Sequence, residues 1–247
     1  MWWLLMGKFF FAPNERTGQL VKLSGNTAHH IINVLRMRIG QEYILCDGNG
    51  NDFNASLESV GDKPFTATFK LFDSNSSKTE PPCKITLYQG LPKSDKMDWI
   101  IEKCTEAGIH KIVPVITSRT VIKVKDASKM KDRYMRISES AASQSMRGII
   151  PSVSAPIDFA DVIKHSNNNN ICLVAFENEN QETIKSTLLD KPANPINLWI
   201  GPEGGFEDSE IKSLTDIGAI PISLGPRILR TETAGLVALA QILCIWE

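Results

Sequence analysis

The sequence predicts an α/β protein in two parts: a small β-barrel over residues 1–73 and a larger domain with a mainly parallel sheet over residues 83–247. Three observations carry that expectation. The N-terminal part holds short apolar segments punctuated by turn residues, the pattern of many short strands. Residues 74–82 (SNSSKTEPP) are polar and close with two prolines, which marks a linker. Beyond it, strand-like and helix-like patterns alternate, as in a parallel sheet joined by crossover helices.

In chain order, strands are expected at 8–12, 20–23, 42–46, 53–59 and 66–72. One helix interrupts them over 27–37, although its apolar residues Ile31, Ile32, Val34 and Leu35 fit helical spacing only loosely. Asp47-Gly48-Asn49-Gly50 is a turn signal between two of the strands. After the linker a strand is expected at 84–89. Ser94 is placed to cap a helix running to Ala107, with Met97, Ile100, Ile101, Cys104 and Ala107 on one face and Gly108 as its stop. A strand at 112–116 and a mostly polar helix at 128–145 follow. The remainder reads as strand 171–176, helix 182–189, strand 197–200, helix 208–216, strand 220–224 and a last helix from about Thr231. Residues 236–246 are apolar on nearly every side; such a helix is buried in the core or against a second copy of the chain.

The formal net charge of −1 gives no whole-chain sign of a polyanionic partner. Residues 119–147 nevertheless hold eight bases (Arg119, Lys123, Lys125, Lys129, Lys131, Arg133, Arg136 and Arg147) against three acids. That stretch fits either a phosphate-binding surface or a solvated face balanced by neighbouring acids. Five scattered cysteines without CxxC spacing read as buried thiols of a reducing compartment. The four histidines show no ligand spacing with them, so no metal site is expected. The apolar start, residues 1–7, is short and has no basic region ahead of it; it makes a poor signal peptide, and Met6 is a candidate natural start. No apolar run has the length of a membrane span, which points to a cytoplasmic protein with no membrane partner.

Two loops could carry chemistry. Gly201-Pro202-Glu203-Gly204-Gly205-Phe206 follows the strand ending at Ile200 and precedes a helix. Its glycines suit a close backbone approach to a ligand, and equally a tight turn. Its spacing is neither GxGxxG nor a P-loop, which disfavours a nucleotide-dependent oxidoreductase. The second loop, Leu224-Gly225-Pro226-Arg227-Ile228-Leu229-Arg230, leads into a helix for which Thr231 is a candidate cap. Arg230 precedes a helix N-terminus, where the dipole disfavours a cation. Either an anionic ligand or an ion pair with Glu203 or Glu232 would account for it. Loops at the carboxyl ends of successive parallel strands line one site.

These loops, IGPEGGF (200–206) and LGPRILRTETA (224–234), resemble the paired signature of the 16S ribosomal RNA uridine-N3 methyltransferases, the RsmE family of SPOUT-class enzymes. HHIINVLRMRIGQ (29–41), GLPKSDKMDWIIEKCTEAGI (90–109) and RYMRISESAASQSMRGIIP (133–151) resemble further family motifs in the same order, so the likeness covers most of the chain. Departures are Ser94 for a usual glycine, Ala107 for leucine, Glu139 displaced one place from the paired alanines by Ser140, and Glu207 for a serine cap. The resemblance implies a PUA-like RNA-binding barrel at the N-terminus, a trefoil-knotted α/β domain, a homodimer, and S-adenosylmethionine as cofactor. It places that cofactor on Ala175, Phe176, Glu177, Ile200, Gly201, Pro202, Gly204, Gly205, Phe206, Leu224, Gly225, Ile228, Leu229 and Thr231. The implied partner is 16S ribosomal RNA in the small ribosomal subunit, met by Arg36, Arg38, Lys93, Lys96, Arg119, Lys123, Arg136 and Arg147. His29 and His30 could stack on RNA, but local packing or capping is the commoner role.

On that reading the reaction is displacement of a methyl group by N3 of an exposed uridine. Uracil N3–H is weakly acidic and its anion spreads charge onto O2 and O4, so a fixed cation lowers the barrier. Arg230 is the expected cation, or the holder of the target phosphate. Glu232 is the nearest candidate base, with capping or orientation of Arg230 as its other role. The competing readings are a SPOUT enzyme with another RNA target and a non-catalytic RNA-binding module. The intact Gly204-Gly205 and Arg230-Thr231-Glu232 argue against the second.

Overall fold

The computed structural model describes residues 8–165 and 170–247, so the expectations for residues 1–7 lie outside the described residues. The chain divides into two compact units. The first runs through Glu80 and takes in Ala142–Ile150; the second is Pro81–Ala141 with Pro151–Glu247.

In the first unit, β1 (Phe9–Phe10), β2 (Arg16–Thr17), β3 (Leu20–Ser24), β4 (Glu42–Cys46), β5 (Asn51–Asp62) and β6 (Phe65–Ser76) form one sheet ordered β1-β4-β5-β6-β3-β2. Only the β1–β4 pair is parallel. Period-two alternation drives Val21 and Leu23 of β3 and Ala67, Phe69 and Leu71 of β6 into one core with Leu45, Ala55 and Leu57. Helix α1 (Gly25–His29) continues as a π-helical turn, His30–Val34, and buries Ala28 and Ile31 in that core. The wider π turn explains why the apolar spacing of 27–37 fits an α-helix poorly. His29 packs edge-on against Phe65 with ring centroids 4.9 Å apart, so it serves local packing.

The polar stretch 74–82 is not simply a linker. Ser74, Asn75 and Ser76 extend β6 and pair with Phe53, Asp52 and Asn51. Polar side chains sit there because the backbone makes the ladder while the side chains remain exposed. Arg147, expected on an RNA-binding surface, is 2% exposed and ion-paired with Glu80. The same carboxylate accepts hydrogen bonds from the amides of Gly148 (2.9 Å) and Ile149 (3.2 Å). Nearby, Gly50 N donates to Gly148 O at 2.9 Å and Lys8 N to Ser143 O at 3.0 Å. These bonds are why residues 142–150, far along the sequence, count with the N-terminal unit.

The second unit holds a parallel sheet of β7 (Ile85–Gly90), β8 (Lys111–Ile116), β9 (Ser152–Val153), β10 (Ile157–Asp158), β11 (Ile171–Ala175), β12 (Ile196–Ile200) and β13 (Ile220–Ile222). The order is β10-β8-β7-β12-β11-β13, with β9 also on β8. Helices α2 (Lys96–Glu106), α5 (Ile184–Leu188) and α7 (Thr231–Trp246) cover one face, burying Leu87, Ile100, Leu188, Leu198 and Leu239 together. On the other face α4 (Phe159–Lys164) and α6 (Asp208–Asp216) enclose Val113, Val174, Trp199, Phe206 and Leu214. Trp199 stacks on Tyr88 at 4.3 Å. Every residue of β12 is buried, as a central parallel strand covered on both sides requires. The long polar helix is α3 (Ala127–Gln144).

The short elements β2, β9, β10 and α4 give no sequence signal, being only two to six residues long. Two caps also differ from expectation. Ser94 adopts φ 57° and Asp95 takes the N-cap position of α2. That left-handed backbone is one that glycine adopts more readily than serine. Arg230, not Thr231, is the N-cap residue of α7. Helix α7 is not buried all round: Ala234, Ala238, Leu239 and Ile242 are enclosed, whereas Leu236 and Val237 are half-buried and Ala240 and Cys244 exposed. Among the described residues no helix is long and apolar enough to cross a membrane.

Glu80→Ala would take the ion-paired carboxylate from the buried Arg147 guanidinium and the shared acceptor from the amides of Gly148 and Ile149. We expect the N-terminal unit to lose about 3 kcal/mol of stability in urea unfolding; a loss below about 0.5 kcal/mol, the range of an ordinary surface change, would show that Glu80 does not hold residues 142–150.

Candidate active site

The strands β11, β12 and β13 are neighbours, and their carboxyl ends open on one cavity of about 640 Å³. Its walls are the segments following those strands: Ala175, Phe176 and Glu177; Ile200, Gly201, Pro202, Gly204 and Gly205; and Leu224, Gly225, Ile228 and Leu229, with Thr231 at the start of α7. This is where a parallel sheet places its ligands. Thirteen of the fourteen residues expected to hold a cofactor therefore line one space. Phe206 does not: it is 3% exposed and packs into the core near Phe159 and Trp199.

The glycines of the first loop are explained by the turn itself. A Cβ on Gly201 would stand 2.9 Å from the Gly205 backbone. Gly205 has φ 69°, and its amide donates to Pro202 O at 2.9 Å. The stem of Arg119 lies where a Gly204 side chain would go, 3.2 Å from the position of its Cβ, and the Arg119 guanidinium donates to the Gly204 carbonyl. Gly225, at φ 119°, lets the second loop turn with nothing crowding it.

A buried hydroxyl joins the loops. Thr231 is 6% exposed; its Oγ1 donates to Gly201 O at 2.6 Å and accepts from Gln89 Nε2 at 2.9 Å. Gln89 is fully buried at the end of β7 and also donates to Gly90 O at 3.0 Å. Sequence reasoning passed over Gln89, although one amide in the otherwise apolar run ITLYQG was a signal for a polar duty in the core.

Charge surrounds the cavity on its accessible side. Lys96, expected to meet RNA, lines the cavity and bridges Glu203 (3.0 Å) and Glu232 (3.2 Å). The hydrogen bond to Glu203, partly offset by desolvation and supplemented by Glu232, raises the Lys96 pKa and keeps it a cation. Partial burial works against ionisation of Glu203, but its own backbone amide, Lys96 and the Lys93 amide together hold its carboxyl below the usual range. The Lys93 side chain is exposed while its amide donates to Glu203 Oε1 at 3.0 Å. The two carboxylates offered as partners for Arg230 are thus engaged by Lys96. Among the described residues neither Arg227 nor Arg230 makes an ion pair, and both are exposed on the cavity lining.

Of the other bases expected to meet RNA, Arg36 and Arg38 are exposed just past the π-helical turn of the first unit. Lys123 and Arg136 are exposed in the second unit, with Arg136 Nε donating to Asp132 O at 3.2 Å. Arg133 is paired with Asp95 and Asp98. Among the described residues no group of three or more His, Cys, Asp and Glu side chains is arranged to hold a metal ion.

Comparison with known proteins agrees with this geometry. The profile of an RNA methyltransferase domain matches residues 79–243, and that of an RNA methyltransferase PUA domain matches residues 23–70. The chain is 35% identical over 227 residues to the ribosomal RNA small subunit methyltransferase E of Bacillus subtilis strain 168, covering 89% of this chain and 88% of that protein. The crystal structure of a ribosomal RNA small subunit methyltransferase E from Neisseria gonorrhoeae bound to S-adenosyl methionine superposes with a TM-score of 0.87 at 32% identity, over 98% of both chains. A methyltransferase from Legionella pneumophila in complex with the same cofactor gives a TM-score of 0.85 at 30% identity, over 97% of both chains. A PUA unit, a parallel-sheet methyltransferase unit and this extent of similarity place the chain in the ribosomal RNA small subunit methyltransferase E family.

Proposed function

We propose that the protein transfers a methyl group from S-adenosylmethionine to N3 of a uridine in 16S ribosomal RNA of the small ribosomal subunit. The observation that carries this is the cavity at the ends of β11, β12 and β13, walled by loops and lined by Arg227 and Arg230, which make no ion pair among the described residues. Its size falls in the ordinary range for a small-molecule site. Its residues fit the cofactor: loop backbone for adenine and ribose, the exposed Glu177 carboxylate for hydroxyls or a positive centre, and both signs of charge for an amino acid moiety.

When bound, S-adenosylmethionine supplies a methyl group already activated on a sulfonium centre. The protein's own task is to seat the uracil and stabilise the charge that develops as N3–H is lost. Arg230, without an ion pair at the cavity, is our choice for the cation beside O2 or O4. Lys96, fixed between two carboxylates, is a second cation facing the same space. Glu232 is occupied by Lys96, so we assign it to holding that lysine in place; the N3 proton then passes to solvent water as the N3–methyl bond forms and the methyl–sulfur bond breaks.

After the edge strand β13 the chain returns to the sheet centre, where Thr231 bonds Gly201 and Gln89, while Ser223 N donates to Glu182 O at 2.7 Å. We take this return as the crossing of a trefoil knot. The stripe Leu236, Val237, Ala240 and Cys244 on α7 is the face we assign to a homodimer. RNA would meet Arg36, Arg38, Lys123 and Arg136, with the salt dependence of phosphate contacts. The free cysteines fit a cytoplasmic setting: burial pushes the thiols of Cys46 and Cys104 up to about 12 and that of Cys172 to about 11, values that leave them inert.

The primary test is transfer of labelled methyl from S-adenosylmethionine to unmodified small ribosomal subunits, followed by nucleoside analysis. Labelled 3-methyluridine is the expected product; label on another nucleoside would overturn the assigned target. Arg230→Ala should lower turnover about 100-fold or more with an unchanged thermal midpoint, and near-normal turnover would remove Arg230 from the mechanism. Light scattering should give twice the mass of one chain, and Ala240→Arg should return it to one chain without loss of helicity. A single-chain mass for the unaltered protein would refute the dimer.

A further inference from the structure

Glu210 is a buried carboxylate that the proposed chemistry does not use. It lies on α6, is 5% exposed, and has no cation beside it among the described ion pairs. Its hydrogen bonds run to two places. Oε2 accepts from the Glu207 amide at 2.9 Å, closing the first turn of α6. Oε1 accepts from the Ser118 amide at 2.9 Å and the Ser118 hydroxyl at 3.2 Å, reaching across to the loop that follows β8. That loop is closed on itself by Thr120, whose amide donates to Thr117 O at 3.0 Å and whose hydroxyl accepts from Thr117 N at 2.9 Å. Arg119 is the residue next to Ser118, and its guanidinium donates to the Gly204 carbonyl while its stem covers Gly204.

The consequence falls on one peptide group. In a trans peptide the carbonyl and the amide point in opposite directions. The Gly204–Gly205 peptide has its carbonyl held by Arg119 and its amide held by Pro202 O at 2.9 Å. A peptide between two glycines is otherwise the easiest in the chain to turn over, because neither residue has a Cβ to restrict it. This one forms part of the cavity wall.

We propose that Glu210 is a positioning residue for the cofactor site. It fixes the 117–120 turn so that Arg119 locks the Gly204–Gly205 peptide in one orientation. Arg119 then acts on the cavity wall rather than on RNA phosphate. The proposal rests on the reading of this cavity as the S-adenosylmethionine site.

The test is a double-mutant cycle on S-adenosylmethionine affinity, measured by calorimetry on the full chain with Glu210→Gln, Arg119→Ala and the pair. Each single change should raise Kd about tenfold. The pair should do little more than either one, because both release the same peptide. Hydrogen exchange of the Gly205 amide should quicken in both variants without cofactor present. A merely structural Glu210 would lower the thermal midpoint but leave Kd and the exchange of Gly205 unchanged, and that result would overturn the proposal. Effects that multiply would do the same, since they mean independent routes. Arg119 is exposed, so its variant keeps the question answerable if Glu210→Gln folds poorly. Unaltered protein that fails to bind S-adenosylmethionine would overturn the cofactor reading itself. Normal binding by the unaltered chain and by Arg119→Ala would overturn only the positioning role.

Discussion

The cavity depends on one buried hydroxyl. Thr231 Oγ1 gives its proton to Gly201 O and takes one from Gln89, tying together the end of β7, the loop after β12 and the start of α7. A hydroxyl can donate once and accept, so this single atom satisfies groups from three distant segments. Buried away from water, such bonds are costly to break. If Thr231 let go, Gly201 would lose its anchor and the 224–230 loop its fixed end. The rest of the site is arranged around that point: Lys96 and its two glutamates to one side, Arg227 and Arg230 on the loop leading into α7.

The glycine-rich loop shows how a ligand cradle and a tight turn can be the same object. Gly201 and Gly205 are required by their own backbone contact and by a positive φ, while Gly204 lies under the Arg119 side chain. The loop needs no ligand to explain its composition. What suits it to a ligand is that its shape leaves backbone, rather than side chains, facing the cavity. The charged side chains Lys96, Glu177, Glu203, Arg227 and Arg230 stand on the same lining.

In the first unit a different economy operates. Its sheet pairs four short strands with the two long ones β5 and β6, and the polar end of β6 needs support. That support comes from residues 142–150, which return to pair with Glu80 and with the turn at Gly50. The Arg147 guanidinium is used for this purpose, which removes it from any surface role.

Much of this was legible in the sequence. Short apolar segments broken by turn residues predict β3, β4 and β6, strand–helix alternation predicts β7, β8, β11 and β12, and the predicted helix 208–216 appears as α6 with the same bounds. The loops 200–206 and 224–230 were identified as neighbours because parallel strands with crossover helices have a common ligand-bearing edge. These features depend on local pattern, which the chain order carries directly. The sequence could not reveal which polar and charged groups meet. Lys96 with Glu203 and Glu232, Arg147 with Glu80, and Glu210 with Ser118 are separated by dozens of residues or more, and a lysine or glutamate reads alike whether solvated or paired. Nor could it reveal that Phe206 turns into the core while its neighbours line the cavity, or that a glutamine at the end of β7 would meet a threonine at the start of α7. Those outcomes depend on how the strands order across the sheet, and only the closed tertiary structure brings such partners within hydrogen-bonding distance.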